Sequence, residues 1–151
     1  MSERSMLKVT SELLKDDNIL KIKATGSSML PLFKENDQFI IQKCAHSKIS
    51  IGDIVIFERE NILTAHRITQ ITKEHIITWG DFNLMPDAPI ITDQIVAKAI
   101  SVERNGKVLR LTKIKYRTWS FLMTHNAQFN HKLINLIIRF YFKCSRLIQR
   151  K

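Results

Sequence analysis

With 151 residues, 44% of them hydrophobic and 25% charged, the chain has the size and composition of one globular domain, not of a disordered or fibrous protein. Four glycines and three prolines exclude low-complexity segments, and the two distant cysteines, Cys44 and Cys144, form no metal-like cluster and suit reduced thiols in a reducing compartment. The net charge of +10 is concentrated at one end: residues 104–151 hold 12 Lys or Arg and no Asp or Glu, which leaves the first 103 residues at −2 and suggests an anionic partner for the basic segment.

In chain order, Met6 to Lys15 predicts a short helix with Leu7, Leu13 and Leu14 near one side, ended by Asp16, Asp17 and Asn18. Short β-rich runs follow at Ile19–Ala24, Gln38–Gln42, Asp53–Glu58, Ile62–Thr72, His75–Trp79, Ile95–Arg104 and Lys107–Thr112. Val, Ile, Thr and Phe dominate them and polar turns separate them. Asn105-Gly106 joins the last two runs and is a hairpin signal, because both residues tolerate positive φ. Strands at this spacing predict a mainly β body, small and mostly antiparallel, with Greek-key or barrel-like closure.

The tail has a different period. His125, Gln128, Lys132, Asn135, Arg139, Lys143, Arg146 and Arg150 recur at three- and four-residue intervals and form one polar stripe, opposite Leu133, Ile134, Ile137, Phe140, Tyr141, Cys144, Leu147 and Ile148. This predicts an amphipathic helix with a basic face, whose apolar runs are too short to span a bilayer. The expected division is a β-rich domain at 1–112 and a basic helical extension at 113–151.

Three sets of residues carry chemistry. Ser28 lies in a Gly-Ser-Ser turn directly after a strand, where a hydroxyl is exposed; the alternative is an ordinary polar turn. His66 sits inside an alternating strand, as a general base near neutral pH or as a hydrogen-bonded structural histidine. Asp81 and Asp87 flank a Gly-Asp-x-Asn turn, and a carboxylate there orients an imidazole or bonds the turn backbone. No His-Glu-x-x-His, paired-Cys or phosphate-binding glycine pattern occurs, so no metal and no cofactor are expected.

Together these residues resemble the type I signal peptidases and their relatives, the self-cleaving repressors. The nucleophile box of that family, Gly-x-Ser-Met-x-Pro, is matched by Gly26, Ser28, Met29 and Pro31. Asn36-Asp37 and Gly52-Asp53 resemble its two Gly-Asp pairs that lead into strands. His66-Arg67 resembles the archaeal and endoplasmic-reticulum branch, which uses histidine where other members use lysine. Thr78, Gly80, Asp81, Asn83 and Asp87 match that branch's aspartate box. Trp79 stands where the family places a lysine, Gly26 where some relatives place a hydroxyl, and the 25 residues before Gly26 are too polar for the family's membrane anchor. The resemblance covers residues 19–104.

It implies a coiled antiparallel β fold and a serine endopeptidase with Ser28 as nucleophile, His66 as base, and Asp87, supported by Asp81, as orienting carboxylate. It also implies a polypeptide or leader-peptide substrate paired against Gln38, Phe39, Ile40 and Ile41. Expected locations are the cytoplasm and the inner face of the membrane, reached through the tail helix, which alternatively packs on the body or docks on a partner protein. The rival readings are a self-cleaving regulator and a non-catalytic peptide-binding module of the same fold. Nucleic acid is a poorer partner, because the wide apolar face of the tail reads phosphate badly.

Overall fold

The computed structural model describes residues 19–43, 48–59, 62–112 and 114–125, together with Lys132, Leu133, Leu136, Ile137 and Phe140 of the tail. The helix expected at Met6 to Lys15 and most of the tail lie outside these residues. Among the described residues, seven strands form one antiparallel sheet: β1 (Ile19–Lys23), β2 (Gln38–Gln42), β3 (Ile54–Arg59), β4 (Ile62–Ile71), β5 (Ile76–Trp79), β6 (Ile95–Arg104) and β7 (Lys107–Arg110). Their spatial order is β1-β2-β6-β3-β4-β5, with β7 hairpinned onto the distal half of β6. A 3₁₀ turn at Thr92–Gln94 precedes β6, and a helix, α1 (Ile114–Thr124), follows β7.

The expected strands recur with their ends within two residues, because β-branched alternation sets both their existence and their facing. β3 is buried on both sides. Ile54 and Ile56 join Met29, Phe33, Phe39, Ile41, Ala97, Ala99 and Val102 in one core cluster, and Val55 and Phe57 join Ile68, Ile76, Ile90 and Ile95 in the other. Asn105 (φ 50°) and Gly106 (φ 73°) make the β6–β7 turn. Register shifts in the β2–β6, β3–β6 and β4–β5 ladders mark bulges, which bend and twist a sheet.

β2 is an interior strand. It pairs with β1 from Ile19↔Gln42 to Lys23↔Gln38 and with β6 from Gln38↔Glu103 to Gln42↔Lys98. Both of its backbone edges are therefore used, and Phe39 and Ile41 point into the core. This corrects the expectation that Gln38, Phe39, Ile40 and Ile41 bind substrate by strand addition, which needs an open edge.

α1 docks on the sheet with the stripe Tyr116, Trp119, Ser120 and Met123, spaced as one helical face; Tyr116 is 4% exposed and Met123 is fully buried. Ile114 and Phe121, on the opposite side, are exposed.

Candidate active site

The loop after β1 is held at both ends. It turns through Gly26 at φ 81°, a region costly for a residue with a Cβ. Immediately beyond Ser28, Met29 and Phe33 are buried in the core, and Phe33 N–H donates to Met29 O at 3.0 Å. At the far end the Asp37 carboxyl accepts from Arg104 Nη2 (2.5 Å), Arg104 Nε (2.7 Å) and Lys34 N–H (2.8 Å), while Arg104 also donates to Leu32 O at 2.9 Å. Burial pushes the Asp37 carboxyl up. The Arg104 hydrogen bonds, the Lys34 N–H and the two nearby positive charges outweigh it and hold the carboxyl below its ordinary value. The same bonds with Asp37 raise Arg104.

His66 sits opposite Val55 on β4, buried, with its ring edge-on to Phe57 at a centroid distance of 6.2 Å. Its Nε2 lies 2.9 Å from Ser28 Oγ and its Nδ1 2.7 Å from Asp87 Oδ2. The same carboxylate oxygen accepts the Thr78 hydroxyl at 2.7 Å. An ionised carboxylate only accepts hydrogen bonds, so it selects the tautomer with the proton on Nδ1. The Nε2 lone pair is then turned toward the Ser28 hydroxyl.

The segment after β5 brings these groups together. Asp87 N–H donates to Thr78 O (2.9 Å) and Asn83 N–H to Gly80 O (2.8 Å), which closes the turn. Phe82 N–H donates to Ser28 O at 2.7 Å and so ties the turn to the serine's own peptide. Gly80 is required by space. A Cβ there would stand 2.8 Å from Ser28 O and Asn83 Nδ2 and 2.9 Å from His66 Nε2.

Asp81 does not touch Ser28 or His66 through any of these bonds. It is fully buried and accepts Arg67 Nε and Nη2 at 2.8 Å each, in a bidentate pair, and Trp119 Nε1 at 2.8 Å. Arg67 Nη1 and Ser120 Oγ both donate to Gly52 O at 2.9 Å. Because Arg67 follows His66 on β4 and Asp81 follows Gly80, this buried pair braces the strand and the turn that hold the imidazole.

The residues singled out in the sequence thus divide. Ser28, His66 and Asp87 form one hydrogen-bonded chain, Asp81 stands beside it as the partner of Arg67, and the β2 residues lie elsewhere. Thr78 and Arg67 fall inside the matched boxes, but their bonds were not assigned from the sequence. Trp119 and Ser120 were missed; the three- and four-residue spacing of Tyr116, Trp119, Ser120 and Met123 was the available signal. Among the described residues no group of His, Cys, Asp and Glu side chains could hold a metal ion.

The seven-stranded antiparallel sheet brings a serine hydroxyl, an imidazole and a carboxylate into hydrogen-bond contact. The chain belongs to the Peptidase S24-like family, whose profile matches residues 2–109, more than two thirds of its length. Neither the curated proteins nor the solved structures contain a match to it. α1 and the tail lie beyond the matched residues.

Proposed function

We propose that the chain is a serine endopeptidase, mechanistically close to the histidine-using signal peptidases, that cuts a precursor polypeptide or leader peptide. The observation that carries this reading is the unbroken chain from Asp87 Oδ2 through His66 to Ser28 Oγ, with links of 2.7 and 2.9 Å. Both fall within the range a nucleophile and its base require.

In this mechanism Ser28 Oγ attacks the scissile carbonyl carbon as its proton passes to His66 Nε2. The imidazolium is stabilised by Asp87 through the Nδ1–H bond, and the Thr78 hydroxyl keeps that carboxylate oriented. The Ser28 backbone N–H donates to the tetrahedral oxyanion. Collapse of the intermediate breaks the C–N bond, and Nε2–H protonates the leaving amine. Water, deprotonated by His66, then attacks the acyl-serine ester, and the proton returns to Ser28 Oγ as the acid product leaves.

With β2 enclosed, the outer edge of β1 is the surface offered to an extended substrate. Among the described residues nothing pairs with it, and it runs directly into the Ser28 loop.

Mass spectrometry of candidate precursor peptides incubated with wild type and with Ser28→Ala tests the reading. Products that appear with wild type alone support it. The same products from both proteins would remove it. Loss of intact full-length chain over the same time course, again only with Ser28 present, would point instead to the self-cleaving regulator.

A further inference from the structure

The C-terminal extension presents apolar side chains that the β body does not cover. Leu133, Leu136, Ile137 and Phe140 are helical, and they are 44%, 67%, 57% and 68% exposed. At about 100° per residue these four positions fall within an arc of roughly 100°. In helical spacing they make one apolar strip, with Lys132 at its edge. This contrasts with α1, whose Tyr116 and Met123 are buried against the sheet. Packing on the body therefore accounts for α1 and not for the described tail residues.

The charge of the C-terminal sequence is of one sign. From Arg104 to Lys151 the sequence carries 12 basic side chains and no acidic one. A partner must then be anionic and must also accept aliphatic surface. Nucleic acid meets the first requirement only, since Leu and Ile side chains gain nothing against phosphate. A membrane with acidic headgroups meets both, because apolar side chains enter the acyl boundary while Lys and Arg remain among the headgroups. No helix among the described residues is long and apolar enough to cross a bilayer, so the geometry is that of a helix lying in the interface.

We infer that the tail strip Leu133, Leu136, Ile137 and Phe140, with Lys132 at its edge and in a segment of basic sequence, is a docking surface for an anionic lipid membrane. The inference does not depend on the Ser28 chemistry. Docking holds the enzyme on a surface, where its polypeptide substrate is met in two dimensions.

Flotation of the full chain tests this with phosphatidylcholine vesicles and with vesicles carrying one-third phosphatidylglycerol, at low and high salt. The protein should rise with the anionic vesicles only, and release with salt. Ile137→Asp/Phe140→Asp should lower the bound fraction about tenfold or more, and Lys132→Gln about fivefold at low salt. The substituted positions are exposed, so folding should be preserved, and unchanged circular dichroism verifies it. Ser28→Ala should float as wild type does, which separates this result from any failure of the peptidase reading. No recovery with anionic vesicles at low salt would overturn the inference, as would recovery undiminished by the double substitution. A dimer abolished by that substitution, without lipid binding, would assign the strip to a second copy. Salt-sensitive capture of a short single-stranded oligonucleotide in place of vesicles would assign it to nucleic acid.

Discussion

Replacing Asp81 by asparagine should be among the most destabilising single changes in the protein, although Asp81 bonds neither Ser28 nor His66. The carboxylate is fully buried and Arg67 is 3% exposed, so neither charge has solvent to fall back on. Asp81→Asn preserves shape and leaves the guanidinium without its counter-charge, and breaking a buried pair from one side costs about 3–5 kcal/mol. Asparagine still offers one carbonyl oxygen to the three donors that Asp81 now serves, which favours the lower end, about 3 kcal/mol. Against a domain stability of about 5–15 kcal/mol this is a large fraction. In urea, with m of about 1–3 kcal/mol/M, the midpoint should fall by about 1–3 M, followed by far-UV circular dichroism and tryptophan fluorescence together. Arg67→Leu should cost a similar amount. The double variant Arg67→Leu/Asp81→Asn, which buries no charge, should be more stable than the sum of the single effects by over about 1 kcal/mol. An Asp81→Asn protein within about 0.5 kcal/mol of wild type, or strict additivity in the cycle, would refute the view that a desolvated pair braces this corner.

Other outcomes follow from the same geometry. Asp87→Asn should keep the fold and lower kcat about 10³–10⁴-fold by favouring the wrong imidazole tautomer, while Ser28→Ala and Ser28→Ala/His66→Ala should be equally inactive in the peptide assay. Gly80→Ala, whose methyl meets Ser28 O at 2.8 Å, should cost about 1–3 kcal/mol in urea unfolding and lower kcat as well. Trp119→Phe removes one donor to a buried carboxylate and should cost about 1.5–3 kcal/mol by the same unfolding assay. The Asp37 carboxyl is lowered in the folded protein, so it contributes stability above its unfolded value, near 4, that is lost as the pH falls through the folded one. Wild type should therefore lose stability on that acid limb relative to Asp37→Asn, which lacks the titration, in unfolding curves measured from neutral to acid pH.

The sheet was legible because period-two alternation and turn chemistry are local. Gln38–Gln42 and Ile95–Arg104 were read with the bounds they have, and Asn105-Gly106 makes its turn with positive φ at both positions. The resemblance placed a Gly-Asp pair where the chain has Asn36-Asp37, and Asn36 adopts φ 72°, a conformation asparagine tolerates where most residues do not. Strand order was not legible, because pairing depends on long-range contacts that no local pattern encodes. That is why β2 was read as a substrate-binding strand: nothing in Gln-Phe-Ile-Ile-Gln tells an interior strand from an edge. The Trp119–Asp81 bond joins residues 38 apart in sequence and is set by how α1 docks, so only the helical spacing of its buried face hinted at it.

In the proposed mechanism the choice of base accounts for the remaining parts. A lysine ammonium is a point charge on a flexible stem and needs desolvation rather than a partner to act as a base. An imidazole has two nitrogens, and only one of its neutral tautomers can accept the serine proton, so it needs a group that holds Nδ1–H. Here that group is Asp87, whose Oδ2 takes bonds from both His66 and Thr78. Thr78 and Asp87 are themselves linked through Asp87 N–H to Thr78 O at 2.9 Å, and Phe82 N–H to Ser28 O joins the same turn to the Ser28 peptide. Exchanging His66 for lysine alone would leave Asp87 without its ring donor in a site shaped for a ring against Phe57. The imidazole, the aspartate, the threonine and the glycine that lets them converge therefore form one unit. That interdependence is the strongest physical reason to read Ser28 as a nucleophile rather than as a turn residue.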